Sequence, residues 1–128
     1  MSICFLNDKY LDLQEAKISP LDRGFLFGDA IYEVIIAVNK KPFELGAHLT
    51  RLKKNISSLK YSLSDQFDLE ETILEVISRN KFLNQVIYVQ ISRGTDIVRD
   101  HIPSNDLSPT IFVSSCLLYT SPSPRDNR

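Results

Sequence analysis

Residues 21–38 read LDRGFLFGDAIYEVIIAV, a stretch in which two closely spaced glycines precede a run of β-branched residues. Gly24 and Gly28 lie close together, and glycine is the residue that tolerates tight or left-handed backbone. The first half carries many charges for so apolar a segment, whereas the second half is rich in β-branched residues, which favours a strand. We interpret the stretch as a structured loop that enters a buried strand. Its charged residues are Asp22, Arg23, Asp29 and Glu33.

Short hairpins flank this stretch on both sides. Before it, residues 2–7 and 10–13 are apolar or alternating runs, and they predict a hairpin that turns at residues 8–9. After it, residues 39–41 (Asn-Lys-Lys) predict a turn, and residues 42–44 lead the chain back.

The hydrophobic period then changes to that of a helix. Residues 47–59 predict one helix and residues 68–79 predict a second. Asp68 is a favourable N-cap, and Glu71 follows it in a capping-box pattern with Asp in place of Ser or Thr. The apolar stripes expected to face the core are Leu49, Leu52, Ile56 and Leu59 in the first helix, and Ile73, Leu74 and Ile77 in the second.

Two further strands complete the pattern. Residues 85–92 alternate as QVIYVQIS, residues 110–115 read TIFVSS, and a polar loop over residues 95–108 separates them. Strands, then two helices, then strands indicate an α+β domain, with an antiparallel sheet and the two helices on one side of it.

Composition and charge exclude several classes of protein. The 128 residues suit a single domain, and 43% of them are hydrophobic. A net charge of −1 gives no basic footprint for nucleic acid, and no apolar run approaches the roughly 20 residues of a membrane span. The N-terminus lacks the features of a secretory signal. Cys4 and Cys116 therefore predict reduced thiols and a cytoplasmic protein.

The C-terminal segment changes character abruptly. Residues 122–124 are Pro-Ser-Pro, which cannot extend a strand because proline lacks a backbone donor. A disordered tail is one interpretation. However, residues 116–126 match, residue for residue, the translation of a transposase-type sequencing adapter. We expect residues 1–115 to be the natural domain and residues 116–128 to be a non-native tail, which makes the chain a fragment of a longer gene product.

Two clusters carry candidate binding chemistry. His48 and Arg51 lie on one face of the predicted helix, and that face is either solvated or an anion site, since a guanidinium offers phosphate a planar donor fork. Residues 93–101 (RGTDIVRDH) follow a strand, where scaffolds commonly place binding groups. In an extended segment Arg99 and His101 point the same way, which suits a carboxylate. The other interpretation is an exposed polar loop.

In combination, these motifs resemble the N-terminal domain of fold-type IV pyridoxal-phosphate enzymes. The resemblance covers residues 3–115: a strand-turn-strand unit, LDRGFLFGDAIYE at 21–33, PFELGAHLTRL at 42–52, and a strand that ends in Arg-Gly before the Arg-x-His pair. This class includes D-amino-acid aminotransferases, branched-chain aminotransferases and aminodeoxychorismate lyases. The pair Arg99 and His101 is similar to the D-amino-acid aminotransferase pattern.

The resemblance implies roles for individual residues. Arg51 would bind the phosphate of pyridoxal 5'-phosphate, and Tyr32 would line the substrate pocket. Arg99 and His101 would hold the substrate α-carboxylate in the neighbouring subunit's active site, which implies a homodimer. No metal site is expected. Structural roles fall to the other residues of the motif, Asp22, Arg23, Gly24, Gly28 and Asp29.

One essential group is missing from the chain. Transamination needs a lysine that holds the cofactor and moves the α-proton. The resemblance places that lysine in a second domain, beyond the end of this chain. We expect the parent protein to be a D-amino-acid aminotransferase that uses D-alanine and 2-oxoglutarate, and this chain to be inactive. The alternatives are a branched-chain L-amino-acid aminotransferase, an aminodeoxychorismate lyase and, from another class, a non-catalytic small-molecule-binding domain.

Overall fold

The computed structural model describes residues 2–119. A short 3-10 turn, Leu13–Glu15, follows the second strand. The other elements are, in chain order, β1 (Ile3–Leu6), β2 (Lys9–Asp12), α1 (Arg23–Phe27), β3 (Ala30–Val38), β4 (Lys41–Pro42), α2 (Leu45–Leu59), α3 (Leu69–Arg79), β5 (Gln85–Ser92) and β6 (Thr110–Leu117).

The strands form one antiparallel sheet in the order β2-β1-β6-β5-β3-β4. This confirms the predicted α+β class, and α2 and α3 cover one face of the sheet as expected. The first hairpin turns at Asn7 and Asp8, one residue earlier than predicted. Asn7 has a φ of 60°, a left-handed conformation that asparagine tolerates. Asn39 and Lys40 both have positive φ, as a type I′ hairpin turn requires.

The core lies between the sheet and the two helices. β3 contributes only alternate residues to it: Ile35 and Ala37 are fully buried, whereas Tyr32 and Val34 on the other face are 64% and 44% exposed. The prediction of a buried strand therefore holds for one face only. The largest fully buried side chains around this centre are Ile35, Leu52, Ile73, Ile87 and Ile91.

The positions of the two predicted helices are confirmed, but the prediction of which residues they bury is partly wrong. Asp68 caps α3, because its carboxylate accepts the backbone N–H of Glu71 at 3.0 Å. Leu59 and Leu74 are exposed instead of buried. In α3 the buried stripe follows the i, i+4, i+7, i+8 pattern of a helix on a flat surface, which turns Leu74 outward. Its apolar members are Leu69, Ile73, Val76 and Ile77.

Residues 23–27 form the helix α1 where a loop was predicted. Asp22 caps it by accepting the Gly24 N–H at 2.8 Å, and Gly28 ends it with a left-handed φ of 66°. A helix this short shows no hydrophobic period, so only its caps could have revealed it.

β6 continues through Cys116 and Leu117, which pair with Val86 and Gln85. These two residues belong to the segment predicted as a non-native tail, and residues 120–128 of that segment lie outside the described residues. Within residues 2–119, no helix is both long and apolar enough to cross a bilayer.

Candidate functional site

Glu33 joins the two predicted anion-binding residues. It lies in β3, is 5% exposed, and faces α2, which carries His48 and Arg51. Arg51 donates from Nε to Oε2 and from Nη2 to Oε1, both at 2.6 Å, and Nδ1 of His48 lies 2.5 Å from Oε1. The prediction that His48 and Arg51 share a helix face is confirmed. Glu33 was quoted in the sequence motif, but its role as their partner was missed.

The electrostatics of this cluster favour the charged forms of Glu33 and Arg51. The hydrogen bond from Arg51 is the main reason that the pKa of Glu33 lies below its usual value, and Glu33 in turn raises the pKa of Arg51. The Arg51 side chain is still 63% exposed, and its Nη1 group takes no part in the bonds to Glu33. A cation held in this way, with one edge turned to solvent, fits an anion such as a phosphate ester.

The loop that carries Arg99 and His101 is closed at its base. The Asp96 carboxylate accepts the backbone N–H and the hydroxyl of Ser104, both at 2.9 Å, and these bonds lower the pKa of Asp96. Gly94 stands where the loop leaves β5, with a φ of 116°, and a Cβ there would overlap the carbonyl oxygen of Ser108. Only glycine fits that point, so the Arg-Gly motif has a steric reason.

The same loop brings Arg99 and His101 to one aromatic ring. The Cζ of Arg99 lies 5.1 Å from the centroid of Phe27, and the His101 ring lies 5.2 Å from it. Both side chains therefore lie against the same ring, although residues 99–101 form no strand. Phe27 comes from α1 and was not singled out by the sequence.

Asp29 is a second charged centre behind this loop. Its carboxylate accepts Nε of Arg93 at 2.6 Å, the hydroxyl of Tyr61 at 2.9 Å and Nε of Arg23 at 3.3 Å. Burial by itself raises the pKa of Asp29, but the three hydrogen bonds outweigh burial and the pKa lies below its usual value. Burial, and then the bond to Asp29, raise the pKa of Tyr61.

Asp22 ties α1 to the ends of two strands. Besides capping the helix, its buried carboxylate accepts the hydroxyls of Ser92 at 3.1 Å and of Thr110 at 2.5 Å. The charged residues of the 21–33 motif thus serve different contacts, with Asp22 bonded to strand ends and Asp29 bonded to arginines.

Tyr32 lies on the opposite face of the sheet from the helices. Its ring stacks on Tyr88 with centroids 5.8 Å apart, and Tyr88 in turn lies 6.4 Å from Phe112. A pocket of about 310 Å³ opens on this face beside Tyr88 and Phe112, but none of the predicted site residues lines it. Within residues 2–119, no hydrogen bond or ion pair joins Tyr32 to Arg51 or to the Arg99 loop.

The exposed edge of Arg51 would hold the phosphate of pyridoxal 5'-phosphate, whereas no lysine among the described residues is placed to hold the cofactor covalently. The lysines all lie at the surface: Lys40 is half-buried, and the others are exposed. A lysine that holds the cofactor covalently has to be desolvated in a pocket, and none of these lysine side chains is buried.

Comparison with known proteins identifies the family. The chain matches the model of "Amino-transferase class IV" over residues 30–126, and it belongs to that family. It is 33% identical over 113 residues to the D-alanine aminotransferase of Staphylococcus haemolyticus, and 32% identical over 115 residues to that of Staphylococcus aureus strain MSSA476. These alignments cover 88% and 87% of this chain but 40% of each relative. The chain thus spans about 40% of the length of these curated relatives.

Solved structures confirm the fold as that of the N-terminal domain of fold-type IV enzymes. The branched-chain amino acid aminotransferase from Escherichia coli superposes with a TM-score of 0.82 at 17% identity, over 91% of this chain and 41% of that one. The 4-amino-4-deoxychorismate lyase from Pseudomonas aeruginosa gives a TM-score of 0.74 at 22% identity, over 93% and 41%. At these identities the likeness concerns the fold and not the substrate.

Proposed function

We propose that the parent polypeptide is a pyridoxal-phosphate-dependent D-amino-acid aminotransferase that uses D-alanine and 2-oxoglutarate. The observation that carries the proposal is that Arg99 and His101 lie against the same Phe27 ring. A guanidinium and an imidazole held in one neighbourhood suit a carboxylate. The D-alanine aminotransferases among the relatives support this choice, since they align with most of this chain at 30–33% identity.

In this proposal the chain supplies half of an active site. Arg51, oriented by Glu33, contacts the cofactor phosphate, and Tyr32 lines the substrate pocket. Across the proposed dimer interface, Arg99 and His101 orient the substrate in the neighbouring subunit's active site through its carboxylate. The cofactor, when bound, acts as an electron sink at the α-carbon of the amino acid. The lysine that moves the α-proton comes from the part of the parent protein that this chain does not contain.

We also propose that the parent is a homodimer and that the partner subunit covers the Arg99 loop. The loop tip is apolar and open to solvent: Ile97, Val98 and Ile102 are 89%, 62% and 78% exposed. Such side chains next to a charged binding pair are typical of a surface that another chain covers. The proposed compartment is the cytoplasm, where the unpaired thiol of Cys4 stays reduced.

The chain as given is expected to be inactive, with residues 116–128 foreign to the parent. Pairing of residues 116–117 with β5 uses backbone groups, which any non-proline residue supplies, so it does not bear on their origin. Pyridoxal phosphate added to the purified chain should give no absorption band of a lysine-bound cofactor, and such a band would refute the claim. A genomic read past residue 115 should reveal a different sequence and a second domain with a lysine. An in-frame stop would favour a non-catalytic binding domain.

The assay that tests the proposed activity uses the full-length gene product. We expect transfer of the amino group from D-alanine to 2-oxoglutarate, and a KM for D-alanine that rises at least about tenfold in Arg99→Ala and in His101→Ala, the size of one lost charged contact. Preference for L-leucine would instead indicate a branched-chain aminotransferase. Release of an aromatic amine from aminodeoxychorismate would indicate the lyase.

A further inference from the structure

Arg23 is a buried arginine whose donors point at the Arg99 loop. It lies in α1 and is 4% exposed. Its Nη1 donates to the carbonyl oxygen of Asp100 at 2.5 Å, and its Nη2 donates to that of His101 at 3.0 Å. One guanidinium thus contacts two consecutive carbonyls, and it sets both the position and the tilt of the backbone between the two predicted carboxylate-binding side chains.

Arg23 is itself held in place from behind. Its Nε faces Oδ2 of Asp29 at 3.3 Å, and the same oxygen accepts Nε of Arg93 at 2.6 Å. All three nitrogen groups of Arg23 are therefore engaged in one planar arrangement. The ammonium of a lysine is a single point charge and cannot reproduce this fork.

The Phe27 ring gives the loop a second contact with α1. Arg23 and Phe27 are four residues apart in the helix and share a face, and Cζ of Arg23 lies 4.6 Å from the ring centroid. Arg99 and His101 lie against the same ring at 5.1 and 5.2 Å. A cation next to an aromatic ring gains a modest electrostatic attraction, which favours one rotamer of Arg99 over the others.

The loop has little else to hold these residues. In the part of the chain that the structure describes, the hydrogen bonds that tie residues 99–101 to the rest of the fold all come from Arg23. The bond from the Ile102 N–H to Oδ1 of Asp100 stays within the loop, and the contacts of Asp96 with Ser104 close its base.

We propose that Arg23 positions the predicted carboxylate-binding pair, Arg99 and His101, and that both side chains pack against Phe27. The ligand of this pair depends on the proposed function, whereas the positioning of the pair is argued from the contacts of Arg23 and Phe27. Selectivity for a carboxylate is then set partly by α1, which carries Arg23 and Phe27.

The first test uses the chain itself and the NMR signals of His101. The chain has two histidines, so the His101 imidazole signals are assigned with one His48→Gln variant. In Arg23→Gln and Arg23→Lys we expect the His101 signals to move toward random-coil values and the backbone order parameters of residues 99–102 to fall toward those of a flexible segment, because Arg23 holds two carbonyl groups of the loop. Unchanged His101 signals and order parameters in either variant would overturn the proposal.

The matched control is Arg79→Gln. Arg79 also lies over an aromatic ring, 4.2 Å from Tyr10, but it bonds to Glu75 on the exposed face of α3 and does not touch the loop. This variant should leave His101 unchanged. Amide exchange at Ile87 and Val89, which are fully buried in β5, reports whether any variant has loosened the whole fold.

A second measurement needs no Arg23 variant and so remains decisive if that variant does not fold. In the unmodified chain, a guanidinium bonded at all three nitrogens rotates slowly, so Arg23 should show separate Nη–H signals on cooling while Arg79 shows averaged ones. Averaged Arg23 signals would contradict the proposal. Phe27→Leu should shift the His101 signals while the Arg23 signals stay separate.

The functional test uses the full-length enzyme. Arg23→Lys should raise the KM for D-alanine about tenfold, with kcat within about threefold and the cofactor absorption unchanged, because it disturbs orientation and not chemistry. If Arg23 behaves as expected in the NMR tests but Arg99→Ala leaves KM unchanged, the proposed function fails and the positioning role stands. If Arg99→Ala raises KM and Arg23→Lys does not, the positioning role fails alone.

Discussion

Glu33 and Arg51 are joined by two hydrogen bonds of 2.6 Å, one to each carboxylate oxygen. This bidentate pair connects β3 to the middle of α2, and His48 adds a third contact to the same carboxylate. Of these three side chains Glu33 is the most buried, at 5% exposure. The buried Glu33 carboxylate has little water to bond to, so it needs these hydrogen bonds more than the exposed Arg51 does.

Glu33→Gln should lower the free energy of unfolding by about 1 kcal/mol. Hydrogen bonds to charged groups contribute about 1.5–3 kcal/mol, and the solvent around Arg51 reduces that value. Chemical denaturation of both chains measures the difference. The matched control is Glu75→Gln, which removes an exposed ion pair with Arg79 and should cost only about 0.3–0.5 kcal/mol. Equal losses in the two variants would show that the Glu33 contacts are no stronger than a surface pair.

Stability should fall as the pH is lowered through the acid range. The pKa values of Glu33 and Asp29 both lie below their usual values, which are about 4.3 and 3.9 in an unfolded chain. The folded state then binds fewer protons than the unfolded state, so the stabilisation is complete above those values and is lost as the pH falls through the lower folded ones. Unfolding by urea between about pH 6 and pH 3 measures this slope. The slope should be shallower in Glu33→Gln, and an unchanged slope would contradict the assignment.

Gly94→Ala should destabilise the chain by about 2–4 kcal/mol, because the new Cβ would meet the Ser108 carbonyl and because the φ of 116° is strained for alanine. Thermal unfolding is the measurement. Gly46→Ala is the control: nothing lies within 4 Å of its Cβ position, and it stands in α2, where alanine should stabilise by about 0.5 kcal/mol. A tolerated alanine at residue 94 would mean that the loop leaves β5 by another path.

Asp22→Asn should cost about 2 kcal/mol of stability. The carboxylate accepts from Gly24, Ser92 and Thr110, and an asparagine amide would turn its own N–H groups toward at least one of these donors. Denaturation midpoints measure the loss. Asp65→Asn, at an exposed position, serves as control and should change stability by less than about 0.5 kcal/mol. A neutral Asp22→Asn would show that the hydroxyls can reverse their bonds at little cost.

Much of the fold follows from local patterns. The alternation over residues 85–92 predicted β5 with the bounds that the structure has, and the capping pattern at Asp68 and Glu71 placed the start of α3. The outward turn of Leu74 could not be predicted, because the sheet surface decides which part of a helical stripe is buried. The helix α1 was missed since one short turn carries no period.

For the candidate site, the sequence predicted which residues could bind a ligand, but it did not predict which residues contact them in the folded chain. A helix spacing is enough to place His48 and Arg51 on one face, because the helix repeat is a property of the backbone. That Glu33 is their common partner depends on how α2 lies across β3. The contacts of Arg23 with residues 100 and 101 join segments more than seventy residues apart, and no local pattern records such a distance. The local sequence thus determines which side chains have the chemistry to bind a ligand. The packing of distant segments determines where those side chains point.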